Sequence, residues 1–132
     1  MLHTGRVTIE LLGLHHSSFP VADLERSLAF YTGVLGLALL PRPDLGVPGA
    51  WLGIGDGQIH LIECAPGADV GTPPSTTNPM GRHTAISVAA LEPVIAHLES
   101  AGLAVTRFGA LSSQCWVRDP DGHVIEFITP AS

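Results

Sequence analysis

The segment HSSFPVADLERSLAFY at residues 16–31 returns in blurred form as HTAISVAALEPVIAHL at residues 83–98. From 16 to 83 the offset is 67, and it aligns His16 with His83, Val21 with Val88, Ala22 with Ala89, Leu24 with Leu91, Glu25 with Glu92 and Leu28 with Ile95. A repeat of this length restricts the chain to two similar units packed together. At 132 residues both fit in one compact domain. Because a histidine opens each copy, the repeat carries more than core periodicity.

The first unit spans about 9–64. Residues 9–20 are apolar with little helical period and end at Pro20, which predicts a strand carrying His15 and His16. Asp23 is placed to cap a helix whose Leu24, Leu28, Tyr31 and Leu35 share a face, with Gly36 at the left-handed C-terminal position. LALLPRP, AWLGIG and QIHLIEC then read as short strands, the last two joined at a GDG turn. Residues 65–81 are rich in Pro, Gly, Ser and Thr and read as a linker or a mobile loop over a site. The second unit, 82–130, restarts the order: RHTAISVA a strand, LEPVIAHLESAG a helix, LAVTRF and SQCWVRD strands, DPDG a turn and HVIEFITP a closing strand. The expected fold is α+β: two tandem βαβββ modules forming a concave mixed sheet around a shared site.

Composition narrows the function. Hydrophobic residues make up 45% of the chain and charged ones 14%, which leaves apolar surface for a second copy and predicts a homodimer. All six strong cations are arginines, so Schiff-base chemistry on a lysine is excluded. A net charge of −6 argues against nucleic acid as a partner. Cys64 and Cys115 lack CxxC spacing and are expected to be buried free thiols in a reducing compartment. No run approaches the ~20 apolar residues of a membrane helix, and MLHTGRVTIELLG has no secretory pattern. A cytoplasmic protein with no membrane partner is expected.

A duplicated βαβββ unit brings inward residues from both halves to one concave surface. His16 and His83 open equivalent strands, and Glu126 on the last strand adds a carboxylate. Two imidazoles and a carboxylate with open positions suit Fe, Mn, Zn or Ni as a divalent ion. His60 is a plausible fourth ligand or a nearby acid or base. One count conflicts with this: His60 is three residues after Gly57 but Glu126 four after Gly122, so strict alternation puts them on opposite faces unless the two hairpins differ by a residue. His15 should point away from His16, and Glu63 away from His60. His3, His97 and His123 are expected in surface roles. Arg42, Trp51, Phe108, Gln114 and Trp116 are candidates either for lining a pocket or for packing and solvation. DLERS reads as a capped helix start and DPDG as a turn, without a catalytic role.

The motifs HHSSFPVADLERSLAFYTGVLGL, GDGQIHLIE, RHTAISVA and VRDPDGHVIEF, in this order, resemble the vicinal oxygen chelate superfamily, the glyoxalase, bleomycin-resistance and extradiol dioxygenase group, over residues 14–129. The resemblance implies metal ligands at His16, His60, His83 and Glu126, with His60 and Glu126 in catalytic positions. It implies a divalent cofactor (Fe, Mn, Zn, Ni or Co) and a small substrate that chelates it through adjacent oxygens. The reaction would be of lyase, isomerase or ring-cleaving dioxygenase type, and the site would form within one chain or across a dimer. Glyoxalase I-like members typically carry a glutamate where this chain has His60, which weighs against lactoylglutathione lyase activity. The alternatives are a thiol transferase modifying an antibiotic and a metal-free sequestering protein of the bleomycin-resistance type, whose members generally lack the histidine and glutamate set.

Overall fold

A computed structural model describes residues 9–130. Two mixed sheets form around one apolar core. The first contains β1 (His16–Val21), β2 (Ala38–Leu40), β3 (Gly49–Ile54) and β4 (Gly57–Glu63) in the order β1-β4-β3-β2. The second contains β5 (Thr84–Ser87), β6 (Gln114–Arg118) and β7 (Val124–Ile128) in the order β5-β7-β6. In each sheet the opening strand runs parallel to the closing one, and the rest pair antiparallel. Each opening strand is joined to the next by a helix, α1 (Leu24–Leu28) or α2 (Leu91–Ser100).

Strand alternation separates core from site. Ala50, Leu52, Ile59 and Leu61 enter the core with Phe19 and Val21 of β1, while Trp51 and His60 are register partners on the opposite face. Asp23 caps α1, its carboxylate accepting from the Arg26 amide at 3.2 Å, and Gly36 (φ +78°) ends the helical segment. From Ala29 to Val34 the helix widens into π geometry, with the Leu35 amide bonded to the Phe30 carbonyl. That widening buries Phe30 and Tyr31 together.

The structure alters three expectations. No strand forms at residues 9–15; β1 begins at His16, where β4 first offers a parallel partner, and the His15 carbonyl makes the terminal bond to the Gln58 amide. LAVTRF contributes a single bridge, Thr106 to Trp116, in place of a strand. Both cysteines are free, but only Cys115 is buried, because Cys64 lies just past the end of β4. Residues 65–81 carry no helix or strand.

The DPDG turn does more than reverse the chain, since it docks the second sheet onto α1. Asp121 accepts from the Ala22 amide (2.9 Å), the Ser27 hydroxyl (3.2 Å) and Arg26 (3.0 Å). The buried Asp119 accepts from the Tyr31 hydroxyl at 2.7 Å.

Candidate metal centre

β1 and β4 bring the first two sequence-predicted residues together. The His16 and His60 rings stack with centroids 3.8 Å apart, and Trp51 stacks on His60 at 4.8 Å. Nε2 of His60 lies 2.7 Å from Oε1 of Gln58, so Nε2 is the donor and Nδ1 keeps its lone pair. Burial, followed by the neighbouring His16, His15 and Arg42, lowers the His60 pKa below the ordinary histidine value. The ring is therefore neutral at neutral pH.

His15 does not point away as alternation predicts. It precedes the first paired residue, and its Nδ1 lies 2.8 Å from Nδ1 of His16. One nitrogen of each of His15, His16 and His60 falls within 4.8 Å of the others, the only such group of three potential ligands among the described residues.

β5 and β7 bring the other two together. His83 Nε2 is 2.9 Å from Oε1 of Glu126, whose Oε2 accepts from Gln114 at 2.8 Å. The opposite nitrogen, Nδ1 of His83, lies 2.8 Å from the Gly81 carbonyl. A carbonyl only accepts, so Nδ1 donates to it and leaves Nε2 facing the carboxylate. Only a proton or a cation between them makes that approach favourable. Glu126 is 4% exposed, and a charge that deep needs such a partner.

The register resolves the conflict in counting. His60 pairs with Trp51 across the β3–β4 hairpin and with Ser18 of β1; Glu126 pairs with Trp116 across the β6–β7 hairpin and with Ala85 of β5. The first hairpin turns through Gly55 and Asp56, whereas the second turns through residues 119–123, and the loops accommodate the unequal spacing. His60 and Glu126 thus hold matching positions. His16 and His83 match too, each two residues before the register partner of its carboxyl-side ligand. Within the chain the four residues form two pairs, and no single group unites them.

Other candidates separate clearly. Trp51 and Gln114 touch the predicted ligands, while Trp116 is fully buried with Phe108 edge-on at 5.0 Å and serves packing. His123 is not a surface residue: it stacks on Phe19 at 5.1 Å and bonds the Pro20 carbonyl, because the second-sheet turn is docked there. His97 is exposed as expected, and Glu63 is turned to the α1 amide of Leu24. His3 lies outside the described residues. Sequence reading missed His15 as a neighbour of the pair, and the doubled HH at residues 15 and 16 was the available signal. A cleft of about 370 Å³ beside His83 is walled by Ser18, residues 70–74, Arg82 and His123.

The clustered imidazole nitrogens of the first pair, and the buried carboxylate facing an imidazole in the second, supply nitrogen and oxygen donors that fit a divalent ion. Fold and donor set define an α+β protein with paired sheets of the kind that hosts such centres. The chain belongs to the Glyoxalase/Bleomycin resistance protein/Dioxygenase superfamily, whose profile matches residues 13–127. It is 34% identical over 122 residues to a probable lactoylglutathione lyase of Vibrio cholerae, covering 86% of this chain and 87% of that one. It is 32% identical over 119 residues to the glutathione transferase FosA of Serratia marcescens, covering 88% and 79%. Its fold matches the crystal structure of a glyoxalase/dioxygenase from Nostoc punctiforme with a TM-score of 0.77, 19% identity and full coverage of both chains. Members of the superfamily use divalent metals, act on small molecules and commonly form dimers. No described helix is long and apolar enough to cross a membrane.

Proposed function

We propose that this chain is a divalent-metal-dependent enzyme acting on a small substrate that chelates the metal through adjacent oxygens, by lyase, isomerase, dioxygenase or thiol-addition chemistry. His16 and His60 of one copy face His83 and Glu126 of a second copy in a cytoplasmic homodimer of single-domain chains. The observation that carries this reading is the matched register of the two pairs, each half of a four-ligand set and each on the site face of its own sheet. The exposed Leu11, Leu12 and Leu14, leading into His15 and His16, supply apolar surface for the second copy.

A divalent ion bound there supplies Lewis acidity toward vicinal oxygens. The chain's own residues do the rest. Gln114 and His83 each contact one oxygen of the Glu126 carboxylate, which fixes its orientation. Gln58 orients His60 so that its unprotonated Nδ1 faces away from Gln58, ready to donate its lone pair or to take a proton from a carbon next to a carbonyl. Trp51, stacked on His60, shields one side of that ring from water.

Metal per chain, measured by plasma mass spectrometry on untagged protein, tests the reading. Near-stoichiometric metal in the wild type, lost in His16→Ala and Glu126→Ala, supports it. Retention in both variants, or no metal even after reconstitution, refutes it and leaves the sequestering protein.

A further inference from the structure

The chain between β2 and β3 carries Arg42, whose guanidinium lies directly on β3. A Cβ built on Gly49 would meet the Leu61 carbonyl oxygen at 2.5 Å and Nη2 and Cζ of Arg42 at 2.8 and 2.9 Å, so the guanidinium lies over the bare Cα of Gly49. Gly49 stands two residues from Trp51, which puts the guanidinium on the face that carries Trp51 and His60.

This cation is unspent. Its Nε is buried without a hydrogen-bond partner, and among the described residues no carboxylate pairs with it. Asp44, two residues on, directs Oδ1 to the Gly46 amide instead. A buried guanidinium donor left unmatched in a chain of net charge −6 is costly unless something else accepts from it. The fork is suited to two oxygens of one anionic group.

We propose that Arg42 forms an anion subsite of the candidate centre and selects substrates bearing a carboxylate or similar oxyanion remote from their chelating oxygens. The assignment rests on the proposed function for the chelating end, and Arg42 adds the far end. Gly49 and Trp51 are about 7 Å apart along β3, so the second anionic group lies only a few bonds from the chelating oxygens. The substrate class is thus a short oxo or hydroxy acid with a second anionic group.

The probes are 2-oxoglutarate and 2-oxopentanoate, which share the chelating end and differ in the distal carboxylate. Titration calorimetry on manganese-loaded protein should show 2-oxoglutarate binding about tenfold tighter. In Arg42→Gln that preference should fall to about unity while 2-oxopentanoate affinity is unchanged, and Arg42→Lys should keep part of it. Equal affinities in the wild type, or a preference that survives Arg42→Gln, would overturn the assignment. Metal content of the same samples separates the two failures. A wild type that retains no metal fails the proposed function, and the subsite is then read on metal-free protein with pentanoate against the neutral pentanamide. There, a preference for pentanoate that is abolished by Arg42→Gln upholds it, and no preference overturns it.

Discussion

Tyr31 is the only tyrosine in the chain and has no exposed surface; its hydroxyl donates to Oδ2 of Asp119 at 2.7 Å. The other oxygen of Asp119 already accepts from the amides of Asp121 and His123, so this carboxylate organises the turn that docks the second sheet. Tyr31→Phe keeps the ring and deletes one donor to a buried charge, a loss of about 1.5–3 kcal/mol. At roughly 3–4 °C per kcal/mol for a chain of this size, the melting temperature should fall by about 5–12 °C. A pH signature accompanies this. Burial first, then the Asp119 charge, raises the Tyr31 pKa far above its ordinary value, whereas in the unfolded chain the phenol ionises near ~10. Stability held below that pH is therefore lost as pH rises above it, by up to about 1.4 kcal/mol per unit. Urea denaturation at pH 8 and pH 11, with tyrosinate absorbance on the folded protein, measures both effects. An unchanged midpoint in Tyr31→Phe, or a folded phenol titrating near ~10, would refute the reasoning.

Two further outcomes follow from the site face of the first sheet. In Gly49→Ala the new Cβ would stand 2.5 Å from the Leu61 carbonyl oxygen as well as against Arg42, so β3 must shift; a cost of about 1–3 kcal/mol is expected by chemical denaturation. The lowered His60 pKa means that metal-free protein should lose stability as pH falls below ~6.5, where the unfolded histidine protonates and the folded one does not. Denaturation midpoints from pH 7.5 to 5.5 check this, and His60→Gln should flatten the dependence.

Much of the fold was legible because the repeat, the Asp23 cap, and Gly36 and Gly102 at helix ends are local signals that tertiary contacts did not override. Residues 9–15 were misread because an apolar run becomes a strand only where a partner edge exists, and β4 offers none before Gln58. LAVTRF failed for a related reason, pairing only through Thr106. The recurrence of both histidine positions singled out the candidate residues, but not their grouping into two pairs, which depends on which strands are neighbours in each sheet. The hairpin difference that places His60 and Glu126 alike was stated as a condition by the glycine spacing and is visible only in the register. His15 and His123 were misplaced because alternation and turn position say nothing about residues outside a ladder or in a docked loop.

The central claim is that two copies of the chain share each metal centre, and mixing two inactive variants tests it most directly. A His16→Ala/His60→Ala double variant lacks the first pair, and a His83→Ala/Glu126→Ala double variant lacks the second. Each alone should bind no metal. After unfolding and refolding together in equal amounts, random pairing leaves one intact centre in half of the dimers, so metal should return to about a quarter of the wild-type amount per chain. If the mixture binds no more than its parts, with mixed dimers shown to be present by native mass spectrometry, the shared centre is contradicted.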